Sequence, residues 1–427
     1  QFRKISTDTW TDVATVVFSS SPYASWAPPI DGITSNAKTA QIRTTQLTNS
    51  EVYDASDTFE VEGKLTINEP IESGLLWTVG ATNKVIGWTP IGTFSPIKIE
   101  YSKDNFVSDF HTIASVANSA HNTPKSWTWS TGVPNDLSDT VKIRVSYEND
   151  PDTKAVSPNP IKFIGSLDVT SPESAGIVWK VGEASKTSSW DANGTVTNVD
   201  IYYRTTAVGS DNLIINNNGG HINGGNSYVW TPVGGIPDEK SETCYIKVAD
   251  HAHPADVFSI STVPFSIRPV INVTVPALGQ NIEVGSTNNT VTWNINSAKI
   301  NKVDLYYSIT GLGGNFTNLI SSGVDCNQGS NSFSTWGAVG DTISADVVIK
   351  VRDKSNDVVN DNVYGLSPSF DIIGKITVNE PHLNENVPSG SKKTISWSKT
   401  GTLGNVKIYY YHDGGYEAIS GGIVDSN

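Results

Sequence analysis

The chain has 427 residues, with 29 Lys and Arg against 43 Asp and Glu, and a formal net charge of −14. This acidic balance, without a basic cluster, excludes nucleic acid as a partner, because phosphate binding needs clustered Lys and Arg. No stretch approaches the roughly 20 apolar residues of a membrane-spanning helix, so we predict no membrane span in this segment. Only two Cys and no Met are present. The scarcity of these oxidation-sensitive side chains favours an extracellular or cell-surface location.

The sequence repeats itself at a period near 103 residues. Two series of Trp residues mark the period: Trp88, Trp190, Trp293 and Trp397, and then Trp26, Trp129, Trp230 and Trp336. Neighbours in the first series are 102, 103 and 104 residues apart, and those in the second are 103, 101 and 106 apart. Solenoid units repeat every 20 to 50 residues or so, whereas this period is that of a whole domain. The sequence therefore predicts tandem copies of one domain.

Aligned on these Trp residues, the chain divides into five parts. Residues 1–63 supply the C-terminal half of a repeat, 64–164, 165–267 and 268–373 are complete repeats, and 374–427 supply an N-terminal half. Because a half sandwich exposes an unpaired edge and an uncovered apolar face, we expect a longer chain with further repeats on both sides. The alternative is strand donation, in which the terminal half of one molecule completes that of a neighbouring copy.

Within each repeat the sequence predicts short β-strands. Apolar and polar residues alternate in Val141–Val145, and Val347–Val351 repeats that phase, as a half-buried strand requires. The 36 Gly and 21 Pro fall between such runs as turn residues. About seven strands per repeat, separated by turns, predict an all-β fold of tandem immunoglobulin-like or fibronectin-III-like β-sandwich domains.

The predicted junctions between repeats are short. At Phe163–Leu167, Phe265–Ile271 and Phe370–Ile376 a last strand runs almost directly into the next first strand. None of these segments has the composition of a flexible Gly/Ser linker or a Pro-rich spacer. Strands of about ten residues would make each module about 35 Å long. We therefore expect a stiff rod of modules.

A recurring motif resembles a known family of repeats. It consists of a turn Pro, Trp-x-Val-Gly, a strand Trp, Val-x-Ile-Tyr-Tyr, a Ser-Tyr-x-Trp turn that ends in Pro, and a final Ile-Arg-Val strand. Its best matches are Ser171–Gly182 and Ser227–Pro232. The motif is similar to the immunoglobulin-like repeats of very large bacterial secreted and surface proteins, and of the related Ser/Thr-rich, GPI-anchored fungal cell-wall family. The resemblance implies an extracellular scaffold, stalk or envelope component without catalytic residues. The chain departs from the motif at Ile282, which replaces a Trp, and at Pro388.

Aromatic residues are the candidates for contacts with another chain. Ten of the twelve Trp hold recurring positions, so we predict that they pack inside the sandwiches. Trp10 and Trp127 fall outside this pattern, and Tyr202, Tyr306 and Tyr409 take the outward phase of their strands. Tyr is enriched at interfaces. We predict an interface through these five residues, with copies of the chain, other cell-envelope proteins or a glycan as the partner.

Acidic residues that follow the last long strand of a repeat are weak candidates for calcium. Asp150, Asp152, Asp353 and Asp357 lie in Asp- and Asn-rich loops, and Ca²⁺ takes about six to eight oxygen ligands. Their spacing is irregular and matches no EF-hand, so solvated turns are the simpler interpretation. The segment His251–His253 is the only His cluster, and its spacing is not that of a zinc site.

The remaining motifs indicate no chemistry. Cys244 aligns with the inward-facing Val141 and Val347, so we predict a buried thiol, whereas Cys326 lies in a loop and is a candidate for crosslinking. No Gly-x-Ser-x-Gly, phosphate loop or Ser/His/Asp constellation occurs in a supporting context. We predict no enzyme and, apart from the calcium candidates, no cofactor.

Together these patterns favour a structural segment of a larger cell-surface protein. It would act as a stalk, fibre or envelope scaffold through stiff stacking of modules and self-association. The alternative is an adhesin or carbohydrate-binding repeat protein with its ligand specificity in the loops.

Overall fold

A computed structural model of the chain describes residues 1–427 except 5, 17–36, 119–120, 220–223, 231–234, 355–361 and 425–427. The described residues form 35 β-strands and no α-helix, which confirms the all-β prediction. Nothing helical in this part of the chain has the length and apolar character for a membrane crossing. Trp26 and Asp357 lie outside the described residues.

Three sets of nine strands repeat one arrangement, and we call them modules I, II and III. Module I consists of β5 (Lys64–Glu69), β6 (Leu75–Thr78), β7 (Val85–Ile91), β8 (Ile97–Ser102), β9 (His111–Val116), β10 (Lys125–Thr128), β11 (Ser138–Tyr147), β12 (Asp150–Val156) and β13 (Ile161–Ile164). Module II consists of β14 (Ser166–Ser171), β15 (Val178–Lys180), β16 (Lys186–Asn193), β17 (Asn198–Arg204), β18 (Asn212–Gly219), β19 (Gly224–Trp230), β20 (Ser241–Asp250), β21 (Phe258–Ile260) and β22 (Phe265–Arg268). Module III consists of β23 (Ile271–Val275), β24 (Asn281–Glu283), β25 (Asn289–Ile295), β26 (Lys302–Ser308), β27 (Asn318–Asp325), β28 (Gly329–Trp336), β29 (Ser344–Asp353), β30 (Tyr364–Leu366) and β31 (Phe370–Ile373).

Each module is a sandwich of two sheets. In module I the smaller sheet has the order β10-β7-β5, and the larger has the order β6-β13-β11-β8-β9 with β12 paired to β11. Modules II and III repeat both orders. Neighbouring strands are antiparallel except for β6 with β13 and their counterparts β15 with β22 and β24 with β31, which are parallel. Two sheets of mainly antiparallel strands in this order form an immunoglobulin-like sandwich.

Each module has nine strands, whereas the sequence predicts about seven per repeat. The first strand of module I is divided, because the chain pairs with β7 as β5 and then crosses to the larger sheet as β6. β12 adds a hairpin partner to β11. Strands of three or four residues, such as β6 and β15, are too short to display an alternating hydropathy pattern, so the sequence does not reveal them.

The core of each module lies between its sheets. Trp88, Trp190 and Trp293, at the centre of each smaller sheet, are almost completely buried. Trp129, Trp230 and Trp336 of the second series are also buried, and Trp77 packs edge-on against Trp129 with an interplanar angle of 82°. An indole that buries about 200 Å² at about 25 cal/mol/Å² stabilises its module by about 5 kcal/mol. The prediction that the recurring Trp residues form cores is confirmed for modules I to III.

Smaller sheets precede module I and follow module III. Before it lie β1 (Phe2–Arg3), β2 (Ala37–Gln46), β3 (Asn49–Ala55) and β4 (Phe59–Val61), and after module III lie β32 (Lys375–Glu380), β33 (Ser396–Thr400), β34 (Val406–His412) and β35 (Gly415–Val424). Among the described residues, β32 pairs with β33 and β34 with β35 as separate two-stranded sheets. Tyr410 of β34 is 59% exposed, although its counterparts Tyr101, Tyr203 and Tyr307 are buried.

Candidate functional site: the module junctions and the outer sheet face

Consecutive modules are joined by one or two residues. β13 ends at Ile164 and β14 begins at Ser166, while β22 ends at Arg268 and β23 begins at Ile271. The step from module III to β32 is again a single residue, Gly374. Connections this short leave the chain almost no slack, so the relative placement of neighbours depends on the contacts between them.

One loop position binds the following part of the chain at three junctions, from module I to II, from II to III and from III to the strands after it. The contacts are Asn135 Oδ1 with the backbone N–H of Thr195 at 2.8 Å, Asp238 Oδ2 with that of Ala298 at 2.8 Å, and Asp341 Oδ2 with that of Thr402 at 2.8 Å. The three acceptors are 103 residues apart. The hydroxyl and N–H of Thr402 hold the pKa of Asp341 below its ordinary value, because both donate to the charged carboxylate. We call this set the loop clamp.

A second contact crosses the first two junctions in the opposite direction. The side-chain amide of Asn193 donates to the carbonyl of Val79 at 2.8 Å, and that of Asn296 donates to the carbonyl of Val181 at 2.6 Å. Asn296 also accepts the N–H of Val270, in the connection itself, at 2.8 Å. These amides satisfy carbonyls at the ends of short strands, where the sheet supplies no partner.

Charged contacts complete the junctions, and they differ from one junction to the next. Between modules I and II, His253 lies 2.9 Å from Asp250 in its own module and 3.1 Å from Asp139 in module I. Hydrogen bonding to Asp250, and then to Asp139, raises the pKa of His253. Between modules II and III, Lys240 Nζ lies 2.9 Å from the fully buried Asp353. Asp250 and Asp353 are 103 residues apart and hold the same repeat position.

Glycine is required in the connection between modules I and II. A Cβ at Gly165 would lie 2.7 Å from Cγ2 of Val196 and 2.9 Å from the carbonyl oxygen of Asn193. Asn193, the last residue of β16, makes the amide contact, and Val196 directly follows Thr195 of the loop clamp. A larger residue would therefore push the next module away.

The outer face of the larger sheet places cations beside aromatic rings. Lys247 on β20 lies 5.4 Å from the ring of Tyr202 and 5.1 Å from that of Phe258. Module I has the same arrangement with Arg144, which lies 4.2 Å from the ring of Phe106. Such contacts contribute about 0.5–1 kcal/mol each at exposed sites.

The predicted interface residues lie in different parts of the chain, two of them outside modules I to III, and do not meet in one site. The Tyr306 ring lies 5.3 Å from the guanidinium of Arg352, and Tyr409 is half exposed on β34. The Trp10 ring has the guanidinium groups of Arg3 and Arg43 at 4.4 Å each. Trp127 on β10 is partly buried against the core of module I. The role of these residues at an interface stays a prediction.

The calcium candidates do not come together either. Asp150 accepts a hydrogen bond from the Thr153 hydroxyl at 3.1 Å, Asp152 is exposed, and Asp353 faces Lys240. Within the described ranges no three His, Cys, Asp or Glu residues form a group that could hold a metal ion. Calcium binding therefore stays a prediction.

Both cysteines are free and buried. Cys244 is fully buried on β20, as predicted, and burial raises its pKa to about 11. Cys326 lies between β27 and β28 as expected for a loop residue, but its thiol points inward, 3.9 Å from the carbonyl oxygen of Ile300. Burial raises its pKa to about 11 as well. This placement corrects the expectation that Cys326 is available for crosslinking in the folded chain.

Sequence reasoning missed the junction residues. The signal was present, since Asn135, Asp238 and Asp341 recur with the same 103-residue spacing as the Trp residues. Where neighbouring modules touch, a polar loop residue that recurs at a constant repeat position indicates a contact between modules, just as a recurring apolar residue indicates the core.

The strand orders define the chain as a tandem array of immunoglobulin-like β-sandwich modules. No protein-family model matches the sequence, and no curated protein matches it. Three solved structures are similar in fold: a complex of Dpr2 Ig1-Ig2 with DIP-Theta Ig1-Ig3, extracellular domains 3-5 of Drosophila OTK, and three N-terminal domains of the bacteriophage RB49 highly immunogenic outer capsid protein Hoc. Their identities are 9%, 10% and 12%, each covers 73% of this chain, and 100%, 97% and 99% of the respective neighbour is covered. Their TM-scores of 0.24, 0.23 and 0.23 are too low to carry an argument about function.

Proposed function

We propose that this chain is a structural, extracellular segment of a larger cell-surface protein. It serves as part of a stalk, fibre or envelope scaffold, in which stiffly joined modules hold other parts of the protein at a distance. The observation that carries the proposal is the loop clamp, which recurs at three successive junctions across connections of one or two residues. A chain selected only for separate binding modules has no need of such contacts.

The sequence supports the extracellular setting. The motifs at Ser171–Gly182 and Ser227–Pro232 resemble bacterial surface repeats and the fungal cell-wall family, and the chain is poor in Cys and Met. The partners we propose are copies of this chain or other cell-envelope proteins, and the role is not enzymatic. The rings of Trp10 and Trp127 are engaged with Arg side chains and with the core, so nothing favours the glycan-binding alternative over the scaffold.

Small-angle X-ray scattering of the full chain tests the proposal. Three modules of about 35 Å each should give the scattering of a rod more than about 100 Å long. The double variant Asp238→Ala/Asn296→Ala removes the clamp and the amide contact at one junction and should shorten and broaden the distribution of distances. Asp168→Ala/Asn272→Ala, which changes the same residue types at exposed strand positions, should match the wild type.

Two results would oppose the scaffold. The first is a wild-type chain that scatters like freely jointed beads, and the second is a clamp variant that is as extended as the wild type. Glycan binding by the wild-type chain that is lost in Trp127→Ala would support the adhesin alternative instead.

A further inference from the structure

On one side of each module, both sheets end in a strand that has no further strand beside it among the described residues. The larger sheets end at β9, β18 and β27, and the smaller sheets end at β10, β19 and β28. The two end strands of a module follow each other in sequence, so both edges lie on the same side of the sandwich. Among the described residues no further strand pairs with either edge. We call this side, formed by β9 with β10, β18 with β19 and β27 with β28, the open flank.

The core is incompletely covered along the open flank. Trp127, Tyr228 and Phe333 hold the same position in the three smaller sheets and pack against the cores, but each is only partly buried. The buried Trp residues at the centres of the same sheets are shielded on both sides. Nearby, Leu213 on β18 and Leu319 on β27 are more than half exposed. Aromatic and aliphatic groups left open at a repeated position mark a contact surface.

The open flank also lacks the charges that normally protect strand edges. Lys125 and Asp325 are the only Asp, Glu, Lys or Arg residues in the segments 111–129, 212–230 and 318–336. Natural sheets discourage edge-to-edge pairing with charged side chains, especially Lys, on their end strands. The segment of module II carries no such residue at all. In module II, β18 and β19 are therefore end strands without a charged side chain among the described residues.

We propose that the open flank binds a second copy of this chain, edge to edge, with modules aligned. This rests on the proposed scaffold function and deepens it by naming the partner and the surface. A chain with a net charge of −14 repels its copies through charged faces, whereas the neutral flank adds no such repulsion. The flank recurs once per period in three modules, so the first contact brings the others into register and raises their effective concentration.

Sedimentation velocity over a concentration series tests the proposal. The flank variant Ser126→Lys/Ser227→Lys/Ser332→Lys places a charge on β10, β19 and β28 at exposed positions beside the three aromatic residues. The matched control Thr66→Lys/Thr170→Lys/Thr274→Lys adds the same charge to β5, β14 and β23, the opposite edges of the same sheets. The wild type and the control should associate reversibly, and the flank variant should associate at least tenfold more weakly.

Amide hydrogen exchange of the wild type is a second measurement of association at the open flank, and it does not depend on a variant. Backbone amides of β19 and β28 should exchange more slowly in the wild type as its concentration rises, while those of β14 and β23 should not change. The proposal fails if the wild type stays monomeric at about 100 μM, if the flank variant associates like the wild type, or if both triple variants lose association equally. Scattering from dilute monomer still tests the stiff rod in each of these cases, so the two proposals fail separately.

Discussion

Replacement of His253 tests whether the junction between modules I and II responds to pH. The imidazole lies between Asp250 of its own module, at 2.9 Å, and Asp139 of module I, at 3.1 Å. Only the protonated ring can donate to both carboxylates, since neutral imidazole has a single N–H. Lys162 and Asp256 form a separate ion pair of 2.9 Å across the same junction.

The direction of the effect follows from the raised pKa of His253, whose first cause is the hydrogen bond with Asp250. A group with a raised folded-state pKa contributes its full stabilisation below the ordinary His value of about 6.5 and loses it as pH rises through the folded value. A hydrogen bond to the largely buried Asp250 is worth about 1.5 kcal/mol, and the ion pair with the half-exposed Asp139 is worth about 0.5 kcal/mol. We expect a loss of about 1–2 kcal/mol between pH 5.5 and 8.5.

Native-state hydrogen exchange measures this loss as the opening free energy of β20. In the wild type the opening free energy of β20 should fall by about 1–2 kcal/mol between about pH 5.5 and 8.5, which lowers the hydrogen-exchange protection factor about tenfold. In His253→Gln it should change by much less. The equivalent strand β29 is an internal control, because its Asp353 is paired with Lys240 and not with a His. An equal pH dependence in the wild type and His253→Gln, or an equal change at β29, would refute the reasoning.

Three further outcomes are expected. Trp190→Ala should destabilise module II by about 3–5 kcal/mol and shift one calorimetric transition while leaving the others in place, and a uniform shift would contradict independent cores. Gly165→Ala should reduce the free energy of unfolding of module II by about 1–3 kcal/mol and lower its melting temperature, because the added Cβ would lie 2.7 Å from Cγ2 of Val196. An unchanged melting temperature would show that the connection can shift freely. At pH 8, Cys244 and Cys326 should react with iodoacetamide far more slowly in the folded chain than in denaturant, because burial raises the pKa of both thiols to about 11. Mass spectrometry measures the labelling, and fast labelling of the folded chain would contradict the burial of the thiols.

The sequence predicts the strands well where one face is buried. Val141–Val145 alternates between core and solvent, and the structure places it in β11 with Val141, Ile143 and Val145 fully buried. The alternation is visible because a half-buried strand requires it. The same reasoning predicts the buried Cys244 by alignment with Val141.

Loop residues are harder to predict, because their burial depends on elements far away in sequence. Cys326 sits in a turn, yet its thiol is covered by the chain near Ile300. The junction contacts have the same character: Asp238 meets Ala298 only when two modules are in place. Hydropathy periodicity carries no information about such contacts, and only the constant spacing of Asn135, Asp238 and Asp341 reveals that this position is special.

The stiffness of a junction depends on the number of its contacts more than on the strength of any one. Between modules II and III, Asp238 accepts two hydrogen bonds, Asn296 donates one, and Lys240 pairs with Asp353. At about 1 kcal/mol each these contacts hold the junction closed by about 4 kcal/mol, so it opens in about one chain in a thousand. Without the Asp238 and Asn296 contacts, only about 1 kcal/mol holds the junction closed, and the junction is then open in more than about one chain in ten. A single contact cannot make a rod, whereas several weak contacts repeated at each junction can, which is why the clamp variant must remove both residues to bend the chain.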